Sequence, residues 1–382
     1  MVLDEAKLKS LFLHLLRSAM WESEADTSLF PLSLHEWQWI FVTAERHTLT
    51  AVVYDAINAL PEAIKPGTEL MSMWKKIADS QEQECLRHLR TVNYLHGRLQ
   101  SSGITPTVVK GLSLAVCYPH PRHRHTGDID LFFGSVERKN IADRTVEEWG
   151  IPVERKLHDE SIYMVGNVVV EHHGHLFQSH NLWVRTSARK RLQAALSSEE
   201  AYCQEDILGS DLTTLHPDLA LLLLVCHSYK HVINSGIGLR QLADLALFLK
   251  KAHADIHPEV VARWASDWKM TGWTRCLMAT LCKYLGMPSD YSPVEPGGDN
   301  DADVLMNEVW MTANFGQTDS RYVPVGGASA NRKTTVRRLL HNYRLFAHYS
   351  YGEATGSLML LVYIRLKECL NGRKSESSVI EN

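Results

Sequence analysis

Cysteine is scarce in this 382-residue chain, and nothing suggests it is paired. Seven thiols (Cys85, Cys117, Cys203, Cys226, Cys276, Cys282 and Cys369) are scattered with no C-x-x-C. An odd, unclustered set argues against a disulfide framework and points to reduced thiols in a cytosol. Long apolar runs are also missing. The longest, Leu219 to Cys226, falls far short of the roughly 20 residues that cross a bilayer. There is no basic excess: the net charge is −4 with 20 His uncounted, which speaks against a general nucleic-acid binder and leaves only local basic patches open. The opening MVLDEAKLKSLFLHLLRSAMW carries Asp4 and Glu5 and alternates charge with Leu and Phe. That is an amphipathic helix and not a signal peptide. Repeats and low-complexity segments are absent. What remains is 45% hydrophobic and 22% charged, enough for a sizeable core in two or three lobes. The expectation is a soluble cytoplasmic protein with no membrane partner.

Hydrophobic period divides the chain. Residues 1–102 read as helical, with Ser33-Leu34-His35-Glu36 as a capping box and a long helix from about Thr68. Residues 103–180 switch to an extended period: a strand at Thr107–Val109, a Lys-Gly turn, a helix at Leu112–Tyr118, a strand at Ile129–Phe133, and a helix Val136–Trp149 capped by Ser135. Strands follow at Val153–Leu157, Ile162–Val165 and Asn167–His173. Residues 181–372 return to a helical period. Within them, 286–302 and Arg321 to Lys333 read as loops. The last ten residues, 373–382, read as a disordered tail.

The organising stretch is PTVVKGLSLAVCYPHPRHRHTGDIDLFF, Pro106 to Phe133. Side chains alternate along a strand, so Asp128 and Asp130 share one face while Ile129 and Leu131 anchor the other in a core. The two acidic Cα atoms would stand about 6.5 Å apart. Paired carboxylates held this way suit Mg²⁺, because hard cations take anionic oxygen. Lys110-Gly111, Arg124-x-x-Gly127-Asp128-Ile129-Asp130-Leu131 and Glu171-x-His173 together resemble the uncharacterised nucleotidyltransferase family of the DNA polymerase beta-like superfamily. The resemblance is specific over Thr107 to Phe177 and weaker over Leu215 to Lys250. It implies an α+β fold, with a small mixed β-sheet core flanked by helical N- and C-terminal regions, and a carboxylate triad completed by Glu171. The chain departs from the wider superfamily in having Lys110-Gly111 where Gly-Ser or Gly-Gly is usual.

Other residues admit two readings. Lys110 and Gly111, where a strand gives way to a helix, suit phosphate binding or form a surface turn. Ser113 would add a hydroxyl to the same phosphates. Arg124 is either a triphosphate ligand or a solvated arginine. Val169, Glu171 and His173 share one strand face, where His173 would bind substrate or orient Glu171. Arg240 and Asp244, spaced i, i+4, form a salt bridge or line the cleft. Arg332, Lys333, Arg337 and Arg338 form a solvated face or an acceptor site. His120, His123 and His125, then His172, His173 and His175, and the helical pair His227 and His231, raise a zinc alternative.

The combined expectation is a two-Mg²⁺ enzyme moving a nucleoside monophosphate from an NTP to an acceptor hydroxyl or phosphate, with release of pyrophosphate. The acceptor is an unidentified small molecule or a protein. The rivals are a protein-nucleotidylating enzyme, a non-catalytic nucleotide-binding protein on the same fold, and a zinc hydrolase.

Overall fold

The computed structural model describes residues 4–156, 159–316, 319–322 and 328–376, with side chains through Tyr363 apart from 328–333. Four helices open the chain: α1 (Glu5–Trp21), α2 (Leu34–Arg46), α3 (Thr50–Asn58) and α4 (Thr68–Ser101). The Asp4 carboxylate accepts the Lys7 N–H to start α1. Ser33 and Glu36 form the reciprocal capping box that starts α2, satisfying two amide donors that have no intrahelical partner.

An α+β core follows: β1 (Thr107–Val109), α5 (Gly111–Ala115), β2 (Ile129–Phe132), α6 (Val136–Glu148), β3 (Glu154–Arg155), β4 (Glu160–Val165) and β5 (Val168–His173). The strands form one mixed sheet in the order β1-β2-β5-β4-β3. β2 runs antiparallel to β1 and parallel to β5, with Asp130 directly opposite Glu171. Alternation then sorts the side chains. Val108, Ile129, Leu131, Val168 and Val170 pack on Cys85, Leu89, Val92, Leu95 and Leu99 of α4 and on Ala142 and Val146 of α6. Each such aliphatic side chain contributes about 1.5–3 kcal/mol on burial. The acidic positions are thereby held on the other face.

The third region is less purely helical than its period suggests. After α7 (Thr186–Leu196), a hairpin of β6 (Tyr202–Asp206) and β7 (Asp211–Leu215) forms a separate two-stranded sheet, and β7 lies against β1. The helices α8 (Pro217–Asn234), α9 (Leu239–Ala252), α10 (Pro258–Asp267), α11 (Thr271–Leu285), α12 (Asp299–Thr312), α13 (Ala328–Phe346) and α14 (Tyr351–Glu376) follow. The polar stretch after residue 286 is already helical from Asp299, where Asp299 and Asp301 complement the helix N-terminus. The loop expected to run to Lys333 is helical from Ala328, and residues 323–327 lie outside the described set. The tail expected from Arg373 is helical through Glu376, and 377–382 also lie outside it. The first and last regions share one apolar cluster that joins Phe12, Trp37 and Trp74 to Leu222, Trp273 and Leu305. The Trp21 indole N–H donates to the Leu285 carbonyl at 2.6 Å. No helix among the described residues is long and apolar enough to cross a membrane.

Beneath the sheet lies a buried polar clip. The Asp143 carboxylate takes the His172 Nδ1–H at 2.9 Å, the Ser161 hydroxyl at 2.7 Å and the Lys139 ammonium at 2.9 Å. The Tyr163 hydroxyl donates to His172 Nε2 at 2.8 Å. His172 separates Glu171 from His173 on β5, so this clip fixes the strand that carries both. Asp143→Ala would leave a buried ammonium without its counter-ion. We expect it to lose about 3–5 kcal/mol of unfolding free energy by denaturant titration; a loss below about 1 kcal/mol would show that the clip does not hold β5.

Candidate functional site

Asp128, Asp130, Glu171 and His173 line one cleft of about 500 Å³, together with Lys110, Gly111, Glu160, Gln178, Lys230 and Arg240. The face that the strand period predicts is the face that opens to this cleft. Asp130 is 5% exposed. Lys110 Nζ and His173 Nε2 both meet its Oδ1, each at 2.7 Å. Burial alone would raise the Asp130 pKa, but the Lys110 ammonium and the His173 imidazole hold it at about 2. The neighbouring carboxyls behave oppositely. Burial, then the charges of Asp128 and Asp130, push Glu171 up to about 7. Burial and Asp130 raise Asp128. Three carboxyls crowded in low dielectric cannot all ionise cheaply unless a cation joins them.

Asp130, Glu171 and His173 present ligand atoms that all lie within 4.8 Å of one another. Two carboxylates suit a hard divalent cation. The third candidate, His173 Nε2, is already bonded to Asp130 Oδ1 at 2.7 Å and would have to give up that contact to bind a cation. Its other ring nitrogen, Nδ1, is 3.6 Å from Glu160 Oε1. Glu160 is the carboxylate that sequence reasoning missed. It lies directly across from His173 on β4, and the same two-residue alternation would have found it.

Several expected phosphate ligands sit differently. α5 is only five residues long, too short for the helix-terminus argument made for Lys110-Gly111. Lys110 instead occupies a left-handed backbone conformation, φ 56°, and directs its ammonium to Asp130. Gly111 is favoured by its backbone, φ +41°, and not by lack of space, since a Cβ there would stand in ordinary contact, 3.4 Å, with the Asp128 carbonyl oxygen. The Ser113 hydroxyl donates to the Lys110 carbonyl at 2.8 Å, and Ser113 is not among the cleft-lining residues. Arg124 corrects the sequence expectation most clearly. It borders the cleft but is 3% exposed. Its Nε and Nη2 grip both oxygens of Asp244 at 2.8 and 2.9 Å, and its Nη1 donates to the His125 carbonyl. The Tyr118 hydroxyl joins the same carboxylate at 2.7 Å. A guanidinium held in a buried fork of this kind is a structural tie.

Arg240 stands 3.6 Å from Asp244 and also lines the cleft, so both readings offered for it describe its position. Of the basic set, Arg338 packs over the Tyr322 ring and donates to the Gly316 carbonyl, Arg337 is exposed, and the side chains of Arg332 and Lys333 lie outside the described residues.

The histidine groups do not assemble the zinc site considered from sequence. His227 and His231 touch each other, Nε2 to Nε2, at 2.9 Å, and no third ligand joins them among the described residues. His123 bridges Asp55 and Glu82. A separate group, His216, Asp218 and His257, is close enough for a metal. Its Asp218 already accepts the His257 backbone N–H and Nδ1 at 2.9 and 3.0 Å. His216 and His257 are N-caps of α8 and α10, and the positive ends of two helices oppose a cation there.

A family model described as "Uncharacterised nucleotidyltransferase" matches residues 33–285. Among solved structures, the chain is similar to an antigenic nucleotidyltransferase-like protein from Paracoccidioides brasiliensis at 13% identity and a TM-score of 0.35. The match covers 58% of this chain and 95% of that one. That likeness is too distant to carry a residue correspondence. No curated protein matches.

The raised Glu171 pKa has a stability consequence. Between its ordinary value of 4.5 and about 7, the metal-free native state holds a proton that the unfolded state lacks. The contribution of Glu171 to stability in EDTA therefore falls as pH rises through that window and levels off above it, while the imidazoles of His47, His125 and His231, whose pKa values burial lowers, contribute in the opposite direction. Glu171→Gln should remove this component alone: in denaturant titrations at pH 5 and pH 8, the difference in stability between the variant and the wild type should change with pH by that amount, since the histidine contributions are common to both proteins. An unchanged pH profile in that variant would contradict the electrostatic account.

Proposed function

Because the chain belongs to the family of uncharacterised nucleotidyltransferases, we propose that it transfers a nucleoside monophosphate from an NTP to an acceptor hydroxyl or phosphate. The acceptor oxygen forms a bond to the α-phosphorus, the bond from that phosphorus to the β-phosphate bridge breaks, and pyrophosphate leaves. The acceptor proton passes to solvent. The observation that carries this reading is the register of β2 and β5, which sets Asp130 opposite Glu171, beside Asp128 in the same cleft.

Asp128 and Asp130 would hold two Mg²⁺ ions and Glu171 would complete the set. When bound, the ions lower the pKa of the attacking hydroxyl and neutralise the leaving pyrophosphate. The chain's own residues do the positioning. His173 holds Asp130 in one rotamer through its 2.7 Å contact. Lys110, on the same oxygen, supplies a positive charge beside the place where phosphates would lie. Lys230, whose ammonium hydrogen-bonds Gln178 at 2.9 Å, supplies another. Its pKa is lowered by burial despite the pull of Glu160.

Asp130→Asn should lower pyrophosphate release from an NTP and a suitable acceptor about a thousandfold or more, since metal stabilisation of developing charge is worth several kcal/mol and each 1.36 is tenfold. Circular dichroism should be unchanged. Full turnover in this variant rules out the mechanism. Labelled ATP offered with candidate proteins separates a protein acceptor, which retains label, from a small molecule, which does not.

A further inference from the structure

One part of the cleft wall has a chemistry that the transfer step does not use. His125, Arg240, Gln241, Asn314 and Phe315 all line it. His125 Nδ1, Gln241 Nε2 and Asn314 Oδ1 are buried and have no hydrogen-bond partner within the protein. Buried polar atoms without partners are costly and call for an explanation. The Gln241 amide is oriented, because its Oε1 accepts the Gly238 N–H at 2.9 Å. Its Nε2 is therefore a donor with a fixed direction. Burial, then the charges of Arg240 and Arg124, lowers the His125 pKa to about 4, so this ring is neutral.

The backbone here is shaped at a cost. Ala313 and Phe315 on either side of Asn314 adopt positive φ, 47° and 52°, which side chains other than glycine rarely take. Close packing holds them. A Cβ on Gly236 would come 2.4 Å from Thr312, and one on Gly238 would come 3.1 Å from the Ala313 backbone. The result presents Asn314 and the Phe315 ring to the cleft, with the His231 ring 4.6 Å from the phenyl centroid. Beside them, Arg240 is incompletely neutralised. Its Nε donates to the Thr48 hydroxyl at 2.8 Å, and among the described residues its ion-pair partner is Asp244, 3.6 Å away, which already holds Arg124 through both oxygens. Two guanidinium groups thus share the Asp244 carboxylate, with Asp128 a weaker negative influence on Arg240.

Resting on the nucleotidyl-transfer reading, we propose that this wall is the nucleobase subsite of the NTP. Phe315 stacks on the base. Gln241 Nε2 donates to a ring nitrogen or carbonyl oxygen of the base edge. Asn314 Oδ1 accepts from an amino or ring N–H, and Arg240 takes the adjoining phosphates. Every nucleobase offers a flat face together with donors and acceptors on one edge, which matches a ring flanked by one donor and one acceptor. A bare polyphosphate would use Arg240 but leave the two amides unsatisfied.

The test is calorimetric binding of ATP, GTP, CTP, UTP and inorganic tripolyphosphate to the full chain in Mg²⁺. The wild type should bind at least one NTP about tenfold or more tighter than tripolyphosphate. Phe315→Ala and Asn314→Ala should each remove most of that advantage and leave tripolyphosphate affinity within twofold, which also reports that the cleft is folded. Arg240→Ala should weaken both ligands. If either of the first two variants fails to fold, Gln241→Met decides in its place. Equal wild-type affinity for tripolyphosphate and all four NTPs, or variants that keep their NTP preference and instead raise the KM of the acceptor, would overturn the base subsite while leaving nucleotidyl transfer standing. A wild type that binds neither NTP nor tripolyphosphate overturns both.

Discussion

Like-charge crowding on one sheet face is the constraint around which the rest of the molecule is arranged. Asp128, Asp130 and Glu171 stand close together and away from water: burial and the neighbouring carboxylates push Glu171 to about 7, while Lys110 and His173 hold Asp130 at about 2 against burial. Such a cluster persists only if the backbone beneath it cannot yield. The aliphatic face of β2 and β5, packed on α4 and α6, supplies that rigidity. The Asp143 clip pins His172 from the same side. Lys110 and His173 relieve part of the repulsion, and both use a single oxygen of Asp130.

The cleft is a product of the whole chain. Its floor is the mixed sheet, but Lys230 and His231 come from α8, Arg240 and Gln241 from α9, and Asn314 and Phe315 from the turn after α12. The buried group of Arg124, Tyr118 and Asp244 ties the loop before β2 to α9. Loss of either charged partner would leave the other buried and unpaired, which costs far more than the pair is worth beside an apolar alternative. The tie therefore serves to set the distance between sheet and helices more than to add net stability.

What could be read from sequence follows the range of the interaction. The acidic face, its aliphatic counterface and the Ser33 and Ser135 caps are legible because strand alternation and capping are local: they link residues two or three apart. The hairpin of β6 and β7 was hidden between strongly helical flanks, although Gly209, φ +85°, marks its turn. Arg124 looked available because its partner lies 120 residues away, and no local pattern encodes a pair at that separation. Asn314 and Phe315 gave no signal at all, since their placement depends on the strained turn after α12.

That difference bears on which part of the site sets substrate choice. On the proposed reading, the residues found by local pattern, Asp128, Asp130 and Glu171, would serve any nucleotide alike, because metal-held phosphates are the same whichever base follows. Residues found only in the folded structure, Gln241, Asn314 and Phe315, present directional donors, acceptors and a ring. Discrimination between substrates requires such directional groups, because a buried amide left unpaired by the wrong ligand costs more than a missing apolar contact. On the proposed reading, reactivity would reside on the sheet and selectivity on the helical wall. Strain at Ala313 and Phe315 is tolerable there because the large core shared by the first and last regions holds the helices that support the turn.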